Sequence, residues 1–384
     1  MAHPKSLRRQ PSLKLLHVLG GLNRGGIETF LVNALPYRDA ERFRWSVCIY
    51  RHANGSYATE FARAGISVEH IPISNTVWGI VSFAYKFLRY LRRQRFDIVH
   101  CHGAHGLVML LSWLAGVPAR IAHAHSSAFW PVRQSFVLNA WSRRLERWLA
   151  RIFATRGIAC SICAAEFLFG THWRETKQTQ LLYCGLDLSL FAACAPDRTV
   201  RAAFGINPKA KVLGHVANLR PVKNHRFLIE IFKNVSERLP DAVLCLVGDG
   251  PLRRSIESQV RGLKLQDRVV FTGVADDVPQ KMMNLFDAFV MPSLYEGLPE
   301  ALLEAQAAGL RCVISDQISK EAVVRPNTVT SVSLQDRAAW VESLVQALTL
   351  PRPSPGFAEM AGSAFDVKTS TELLKALYVE AMQN

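Results

Sequence analysis

The chain has 384 residues, of which 49% are hydrophobic and 20% are charged, and its formal net charge at pH 7 is +15. This length suits two domains of roughly 150 to 200 residues, and the apolar fraction excludes a disordered or collagen-like chain. Eight cysteines are too few for a disulfide-held secreted scaffold, and the longest apolar run, residues 106–117, is shorter than the roughly 20 residues of a membrane-spanning helix.

Short β-branched runs alternate with longer helical stretches, a pattern typical of parallel sheets covered by helices. In the first half we predict strands at 14–19, 45–50, 67–71, 97–101, 120–125, 157–161 and 181–183. After a break at 186–208, a second series follows at 211–217, 242–247, 268–272, 287–291, 311–314 and 328–332. The sequence therefore predicts two doubly wound α/β domains with a ligand cleft at the carboxyl ends of their strands, and a final helix at 371–382.

The positive charge lies in the first half. Residues 1–190 contain 24 Lys and Arg against 10 Asp and Glu, whereas residues 191–384 contain 22 against 21. Such an asymmetry indicates an anionic partner, which nucleic acid, a membrane surface or a phosphorylated substrate could supply. We find no nucleic-acid-binding signature and therefore expect no nucleic-acid partner.

The most specific string is MPSLYEGLPEALLEAQAAG at residues 291–309. We predict that Pro299 is the first residue of a helix that stops near Gly309. Glu296 then lies in the loop at the end of a strand, and Glu304 lies in the second turn of the helix. The backbone N–H groups of residues 297–300 would form an anion site. Taken singly, each carboxylate is more often a solvated residue, so the prediction depends on the whole string.

Two further loops follow predicted strands. The string GHVANLRPVKNH at 214–225 carries Arg220 and Lys223, cations that could neutralise a diphosphate leaving group. The string GGLNRGGIET at 20–29 carries glycine pairs that allow close backbone approach to a ligand at the start of a helix. Because Leu22 stands where the second glycine of G-x-G-x-x-G belongs, a Rossmann dehydrogenase is not supported.

These strings together resemble the retaining GT-B glycosyltransferases of glycosyltransferase family 4, from about residue 17 to residue 365. The spacing of Glu296 and Glu304 is that family's signature, and lesser matches are DIVH at 97–100, RIAHAHS at 120–126, LYCGLD at 182–187, LVGDG at 246–250 and VVFTG at 269–273. The EGLP and RIAHAHS strings are most similar to branches that build exopolysaccharide, capsule or O-antigen.

The resemblance implies the GT-B fold, with two facing Rossmann-like domains. An N-terminal acceptor-side domain would span residues 1–190, and a nucleotide-sugar-binding domain would span residues 191–365. The last helix, in residues 366–384, would cross back onto the first domain. The implied reaction transfers a sugar, with retention, from a nucleotide-sugar to a hydroxyl of a lipid-diphosphate-linked or growing polysaccharide acceptor, and a UDP-sugar is our choice of donor. Because the chain has no Asp-x-Asp string, we expect no metal at the diphosphate and no cofactor besides the donor.

The resemblance also implies residue roles. Glu296 would hold the donor sugar, and Lys223, helped by Arg220, would stabilise the departing diphosphate. His125 matches the family's histidine near the reacting sugar, and His123, on the same side of the predicted strand, stays open as the alternative. Glu304 would hold the ribose. The other residues expected to bind the donor nucleotide-sugar are Gly297, Leu298, Gly25, Gly26, Asn218, Gly248, Gly273 and Val274.

One position departs from the family's pattern. The family usually has an Arg five residues before the Lys, and this chain has Asn218 there. An amide cannot supply the charge of an Arg fork, so either Arg220 compensates or one leaving-group contact is lost. The departure keeps open a non-catalytic partner or scaffold protein that still binds a nucleotide-sugar. A GT-B epimerase or phosphorylase is a third hypothesis.

Two basic stretches contain aromatic residues at helical spacing. Residues 83–96 combine Lys and Arg with Phe and Tyr, and residues 129–156 contain three tryptophans and six arginines, including Trp130, Arg133 and Trp141. A basic amphipathic helix of this kind can lie on an anionic membrane surface or can be an ordinary layer helix with solvated arginines. We expect a cytoplasmic protein without a signal peptide, and we hypothesise peripheral attachment to the inner face of the cytoplasmic membrane. The isolated pair Cys160-x-x-Cys163 is expected to be two buried, reduced thiols.

Overall fold

The structure, a computed structural model, describes residues 12–51, 55–74, 76–103, 105–125, 136–176, 178–275 and 277–383, and for residues 136–142 only the backbone. The chain divides into two compact units. The first unit comprises Met1–Gly185 and Val367–Asn384, and the second unit comprises Leu186–Asp366.

All the strands predicted from the sequence form, with ends shifted by one or two residues. They are β1 (Leu13–Leu19), β2 (Phe43–Ile49), β3 (Ser67–His70), β4 (Ile98–Cys101), β5 (Ala119–Ala124), β6 (Arg156–Ala159), β7 (Thr179–Leu181), β8 (Lys211–Val216), β9 (Ala242–Val247), β10 (Val269–Gly273), β11 (Ala288–Met291), β12 (Arg311–Ser315) and β13 (Val329–Val332). The central strands were recognisable because they are short, continuous apolar runs buried on both faces.

The α-helices of the described residues lie mostly between these strands. They are α1 (Gly26–Ala34), α2 (Ala58–Arg63), α3 (Val77–Gln94), α4 (His105–Leu114), α5 (Phe136–Phe153), α6 (Ile162–Phe169), α7 (Ser189–Ala192), α8 (His225–Arg238), α9 (Arg253–Gly262), α10 (Val278–Asn284), α11 (Glu300–Ala307), α12 (Arg337–Thr349), α13 (Phe357–Met360) and α14 (Val367–Ala381). Within the described ranges, no helix is both long and apolar enough to span a bilayer.

The described strands of the first unit form a parallel sheet in the order β3-β2-β1-β4-β5-β6-β7. The strand order reverses between β1 and β4, which pair directly, with His17 opposite His100. In open α/β sheets, ligands bind outside the carboxyl ends of the strands at such a reversal point. The histidines of β1 and β4 therefore mark a natural ligand-binding edge of this unit.

The second unit repeats the plan with the order β10-β9-β8-β11-β12-β13. Here the order reverses between β8 and β11, where Leu213 lies opposite Ala288. Gly214 of β8 leaves room for the ring of Phe286, which a side chain at that position would overlap. The two faces of the sheet pack separate apolar clusters, one around Phe286 and one around Trp340.

Two helix boundaries differ from the sequence predictions. The final helix begins at Val367, four residues before the predicted start, because Val367 and Ser370 are buried and packing supports the first turn. The helix predicted to begin with Pro299 begins at Glu300, because Pro299 has an extended ψ of 82° and acts as the N-cap.

Candidate functional site

Loops that follow the strands of the second unit are held together at its carboxyl edge. The Gly248 N–H donates to the carbonyl of Gly273 at 2.8 Å, and the Leu219 N–H donates to the carbonyl of Asp249 at 3.0 Å. Gly248 has φ 130°, and a Cβ there would overlap the Ala217 carbonyl oxygen. Glycine is therefore required for the loops after β8, β9 and β10 to meet this closely.

The loop after β11 joins the same edge and contains an ion pair. The Leu294 N–H donates to the Val222 carbonyl at 2.8 Å. The Lys223 ammonium donates to Glu296 Oε1 at 2.6 Å, with 21% and 11% of the two side chains exposed. Two residues predicted for the site, 73 positions apart in sequence, are thus in direct contact in a partly buried setting.

The start of α11 presents fewer N–H groups than the sequence predicted. The Glu300 N–H donates to the Leu298 carbonyl at 3.0 Å, and the Leu302 N–H donates to the Pro299 carbonyl at 2.9 Å. The N–H groups of Gly297 and Leu298 have no partner among the described residues. The anion site expected over residues 297–300 therefore reduces to its first two amides.

Glu304 lies in the second turn of α11, as predicted, and is partly exposed. Burial, together with the neighbouring Glu300 carboxylate, raises the pKa of its carboxyl group to about 8. Among the described residues, none donates a hydrogen bond to its side chain. A carboxyl group with this pKa is largely protonated at pH 7, so it can both donate and accept a hydrogen bond.

Three other predicted residues are exposed at this edge. Asn218 is exposed, and its side-chain oxygen lies beside Gly250, where any Cβ would crowd it. Arg220 is also exposed, and its N–H donates to the Asn218 carbonyl at 2.8 Å. Val274 is 61% exposed. The tight turn places Asn218 and Arg220 on one loop, five and three residues before Lys223.

In the first unit, Gly25 and Gly26 are exposed at the start of α1. Gly25 is the N-cap, and its carbonyl accepts from the Thr29 N–H at 2.9 Å. The Glu28 carboxylate folds back toward Gly25, and burial raises the pKa of Glu28 to about 7. Because Glu28 is about half protonated near neutral pH, its negative charge at the start of α1 is reduced. It would therefore repel an anionic ligand there less than a fully ionised carboxylate would.

The two candidate histidines have different surroundings. His125 follows β5 and is partly exposed, whereas His123 is fully buried and its Nδ1 lies 3.0 Å from His100 Nε2. His125 Nε2 lies 2.9 Å from His102 Nδ1. Burial lowers the pKa of His125 to about 3. Exposure favours His125 as the residue that a ligand can reach.

The sequence prediction missed the neighbours of these histidines. His17, His100, His102 and His105 surround them at the same sheet edge. The available signal was the His-x-His spacing at 100–102 and again at 123–125, because alternate residues of a strand share one face. What the spacing does not show is that β4 and β5 are neighbours.

Two overlapping sets of histidines could approach one metal ion. They are His17, His100 and His102, and His102, His123 and His125. Within the described residues, no comparable set lies at the edge that carries Lys223 and Glu296.

The basic stretches of the first unit form an outer layer. α3 buries Phe83, Phe87, Tyr90 and Leu91 and exposes Trp78 (82%) and Tyr85 (65%). Arg92 of α3 donates to the Leu114 carbonyl of α4 at 3.2 Å, and the rings of Trp113 and Phe153 join α4 to α5. We define the outer patch as the exposed side chains of Val77, Trp78, Val81, Tyr85, Lys86, Arg89, Arg92, Arg93, Trp113, Trp148 and Ile152.

The second basic stretch is only partly described, and one cysteine of the Cys160-x-x-Cys163 pair is exposed. Trp130 and Arg133 lie outside the described residues, as does the side chain of Trp141. Cys160 is buried, but Cys163 is exposed, so the prediction of two buried thiols was wrong for Cys163. The reason is that Cys163 is the second residue of α6, on the helix face away from the sheet.

Comparison with known proteins identifies the class of enzyme. Residues 24–190 match the family described as Glycosyltransferase Family 4, and residues 210–349 match Glycosyl transferases group 1. The putative glycosyltransferase EpsF of Bacillus subtilis is 35% identical over 381 residues, with 95% of this chain and 96% of that protein aligned. The capsular polysaccharide biosynthesis glycosyltransferase CapH of Staphylococcus aureus is 24% identical, with 96% of this chain and 99% of that protein aligned.

Solved structures agree on the fold. The Anabaena protein Alr3699/HepE, crystallised with UDP-glucose, aligns with a TM-score of 0.78 at 23% identity, covering 96% of this chain and 100% of that chain. WaaG, a glycosyltransferase involved in lipopolysaccharide biosynthesis, aligns with a TM-score of 0.69 at 19% identity, covering 96% and 98%. The chain therefore belongs to glycosyltransferase family 4 and is a glycosyltransferase with the GT-B fold.

Proposed function

We propose that this glycosyltransferase transfers a sugar from a UDP-sugar, with retention of anomeric configuration, to a hydroxyl of a lipid-diphosphate-linked or growing polysaccharide. The observation that carries the proposal is the Lys223–Glu296 pair at the carboxyl edge of the second sheet, beside the helix that bears Glu304. Relatives support the substrate classes. HepE was crystallised with UDP-glucose, and a 26% identical Escherichia coli relative is a UDP-Gal:α-D-GlcNAc-diphosphoundecaprenol α-1,3-galactosyltransferase.

The residues have complementary tasks in this proposal. Lys223 supplies positive charge to the departing diphosphate, and Glu296 orients Lys223 and accepts hydrogen bonds from hydroxyls of the donor sugar. Glu304 binds the ribose hydroxyls. The amides of Gly297 and Leu298 contact the diphosphate or the sugar, and His125 lies near the reacting sugar.

In this proposal Asn218, Arg220, Gly248, Gly273 and Val274 of the second unit also contact the nucleotide-sugar. Gly25 and Gly26 of the first unit are proposed as further contacts of its diphosphate. In this proposal the cations of the chain take the part that a diphosphate-bridging metal plays in other transferases, so transfer proceeds without added metal. Preorganised charge of this kind stabilises a leaving group without reorganising at the moment of reaction.

We also propose that the outer patch rests on the cytoplasmic membrane surface and brings the first unit to a lipid-linked acceptor. On α3, the exposed side chains of Trp78 and Tyr85 recur at helical spacing with those of Arg89 and Arg92, and this composition suits the boundary between anionic headgroups and acyl chains. Each basic residue near such a surface contributes about 1 kcal/mol.

The test is transfer from UDP-glucose, UDP-galactose and UDP-N-acetylglucosamine to a polyprenyl-diphosphate-linked saccharide, in the presence of EDTA. We expect acceptor-dependent UDP release and a product with the donor's α configuration by NMR. Inverted product, or a strict need for added metal, would refute the corresponding part of the proposal. Interconversion of the free UDP-sugars without acceptor would instead indicate the epimerase alternative.

A matched pair of variants locates the activity. Lys223→Met should abolish most of the transfer, whereas Lys233→Met should not, because Lys233 is 46% exposed on α8 and pairs only loosely with Glu237 at 3.9 Å. Equal activities of the two folded variants would show that Lys223 does not act on the leaving group.

A further inference from the structure

A ladder of histidines lines the carboxyl edge of the first sheet. Three neighbouring strands contribute: His17 lies on β1, His100 on β4 and His123 on β5, with His102 and His125 directly after the last two strands. All five rings lie close together: the centroids of His123 and His125 are 3.8 Å apart, and those of His17 and His102 are 5.4 Å apart.

Three of these rings form one hydrogen-bonded chain that ends at His125. His17 Nδ1 lies 3.1 Å from His102 Nε2, and His102 Nδ1 lies 2.9 Å from His125 Nε2. At the outer end, His125 Nδ1 lies 3.8 Å from Cys184 Sγ. At the inner end, His17 Nε2 is buried and has no hydrogen-bond partner among the described residues.

The distances favour shared protons over a shared metal ion. Tetrahedral zinc binds imidazole nitrogen at about 2.0 to 2.1 Å, which separates two ligand nitrogens by roughly 3.3 to 3.4 Å. The facing nitrogens here are 2.9 and 3.1 Å apart, the separation of a hydrogen bond. Neither histidine set includes a carboxylate or thiolate that could offset the buried charge of a divalent ion.

In the hydrogen-bonded series His17–His102–His125, either nitrogen of each ring could carry the proton. Burial lowers the pKa of His17 and of His125 to about 3, and burial with neighbouring histidines lowers that of His102 well below its usual value. Each ring is therefore neutral at neutral pH and carries one N–H. Because each link needs one donor and one acceptor, the three N–H groups must all point the same way along the chain.

The buried end of the chain selects the direction. If the protons pointed inward, His17 Nε2 would be a buried N–H without an acceptor, a state that folded proteins strongly avoid. If they point outward, the His17 Nδ1–H donates to His102 Nε2, and the His102 Nδ1–H donates to His125 Nε2. The remaining proton of His125 then lies on Nδ1, toward Cys184, whose sulfur is only a weak acceptor.

We propose that His17 and His102 are positioning residues that hold His125 as its Nδ1–H tautomer, so that His125 offers a hydrogen-bond donor, not an acceptor, at its outer nitrogen. The proposal rests on the proposed function insofar as that nitrogen faces the reacting sugar. In that case the Nδ1–H donates to a sugar hydroxyl oxygen. The proton arrangement itself is a property of the unliganded protein.

The first test is the tautomer of His125 in the wild-type protein. Long-range ¹H–¹⁵N correlation spectra distinguish protonated from unprotonated ring nitrogens, and loss of the signal in His125→Gln assigns it. We expect Nδ1 of His125 to be protonated and Nε2 to be unprotonated at pH 7. A His125 that is protonated at Nε2 would overturn the proposal, as would one equivalent of zinc retained by the purified protein.

The second test replaces His17, the hydrogen-bonded histidine farthest from His125. In His17→Asn, an amide replaces Nδ1 as the partner of His102, and an amide can donate or accept, so it no longer fixes the direction. We expect His125 to become a mixture of tautomers, and kcat with UDP-glucose and acceptor to fall about 2-fold to 5-fold with little change in KM, in proportion to the lost Nδ1–H population. The matched control is His172→Asn, because the His172 side chain is 80% exposed.

The two readouts separate the possible failures. A folded His17→Asn variant in which His125 keeps a single Nδ1–H tautomer would overturn the coupling. If the His17→Asn variant does not fold, the tautomer of His125 in the wild-type protein still tests the proposal. If the tautomers behave as expected but no donor is transferred, the chain of histidines stands and the proposed function fails.

Discussion

Glu304 combines a predicted ligand role with an unfavourable environment in the unliganded protein. Its carboxyl group is drawn into the second unit by α11, and burial together with Glu300 opposes its ionisation. A buried carboxyl group without hydrogen bonds is unfavourable. The hydroxyls of a bound ribose would supply hydrogen bonds that the described residues do not.

This environment predicts a pH-dependent gain of stability in Glu304→Gln. The pKa of Glu304 is about 8 in the folded protein and 4.5 in the unfolded reference. Between these values the unfolded state loses a proton that the folded state keeps, so wild-type stability falls as the pH rises from about 4.5 to about 8. The Tm of Glu304→Gln minus that of the wild type should therefore increase over this range. A constant difference would contradict the assignment, and Glu342→Gln is the control because Glu342 is a 68% exposed surface carboxylate.

The Lys223–Glu296 pair predicts measurable energetic coupling. Because both side chains are mostly buried and the bond is charge-assisted, a double-mutant cycle with Lys223→Met and Glu296→Gln should give about 1 to 2 kcal/mol. The exposed Lys233–Glu237 pair should give less than about 0.5 kcal/mol in the same urea titrations. Equal coupling in the two cycles would mean that the Lys223–Glu296 contact does not persist in solution.

Because Asn218 stands where the family usually has an Arg, we expect the wild-type enzyme to lack one cation at the leaving group. Asn218→Arg should raise kcat about 10-fold, because an Arg fork adds charge-assisted bonds to the diphosphate. Asn234→Arg is the control, since Asn234 is an exposed asparagine on α8 of the same unit. If Asn218→Arg has no effect while Arg220→Gln slows the wild-type enzyme, Arg220 already supplies the charge and the prediction is wrong.

At the scale of elements, α3 has two different faces. Its inward face buries Phe83 and Phe87, and its outward face leaves Trp78 and Tyr85 exposed. The sequence left a layer helix and a membrane-surface helix as alternatives. The buried face is that of a layer helix, and the proposed membrane contact depends on the exposed face alone.

Liposome flotation tests the outward face. The wild-type protein should float with vesicles that contain anionic lipid, and Trp78→Ser with Tyr85→Ser should reduce the bound fraction severalfold, because burial of aromatic surface drives insertion. Leu350→Ser removes a 41% exposed side chain of the second unit and should leave binding unchanged. Absence of the wild-type protein from both anionic and neutral vesicles would refute the membrane hypothesis.

Local sequence was sufficient for the elements but not for all of the contacts. The central strands are compact apolar runs, and the positions of all the strands could be predicted to within two residues. The Lys223–Glu296 contact spans 73 positions and was not predicted; the family pattern indicated only that both residues belong to one site. The histidine ladder depends on β1 pairing with β4, and on Tyr378 of α14 reaching His100 Nδ1 at 2.7 Å from 278 residues away. Spacing along the chain does not encode such neighbours.

At the scale of the whole molecule, the chain repeats one plan twice and varies the chemistry at each carboxyl edge. The first sheet presents neutral, buried histidines at its reversal point, and the second presents a Lys–Glu pair and a raised-pKa carboxyl group. In the proposed function the second edge holds the nucleotide-sugar. The roles proposed for Glu304, Glu296 and Lys223 all depend on nucleotide-sugar binding at this edge.

The most direct test is nucleotide binding by the purified protein in EDTA, measured by thermal shift and by calorimetric titration with UDP, GDP and ADP. We expect a selective response to UDP, with about 2.7 kcal/mol of stabilisation at 100 times the dissociation constant. Glu304→Ala should weaken UDP binding by about 10-fold, since the protonated carboxyl group would lose its hydrogen bonds to two ribose hydroxyls, each worth about 0.5 to 1.5 kcal/mol. Glu342→Ala should bind as the wild type does. No response to any nucleotide, or unchanged UDP affinity in a folded Glu304→Ala variant, would contradict the account.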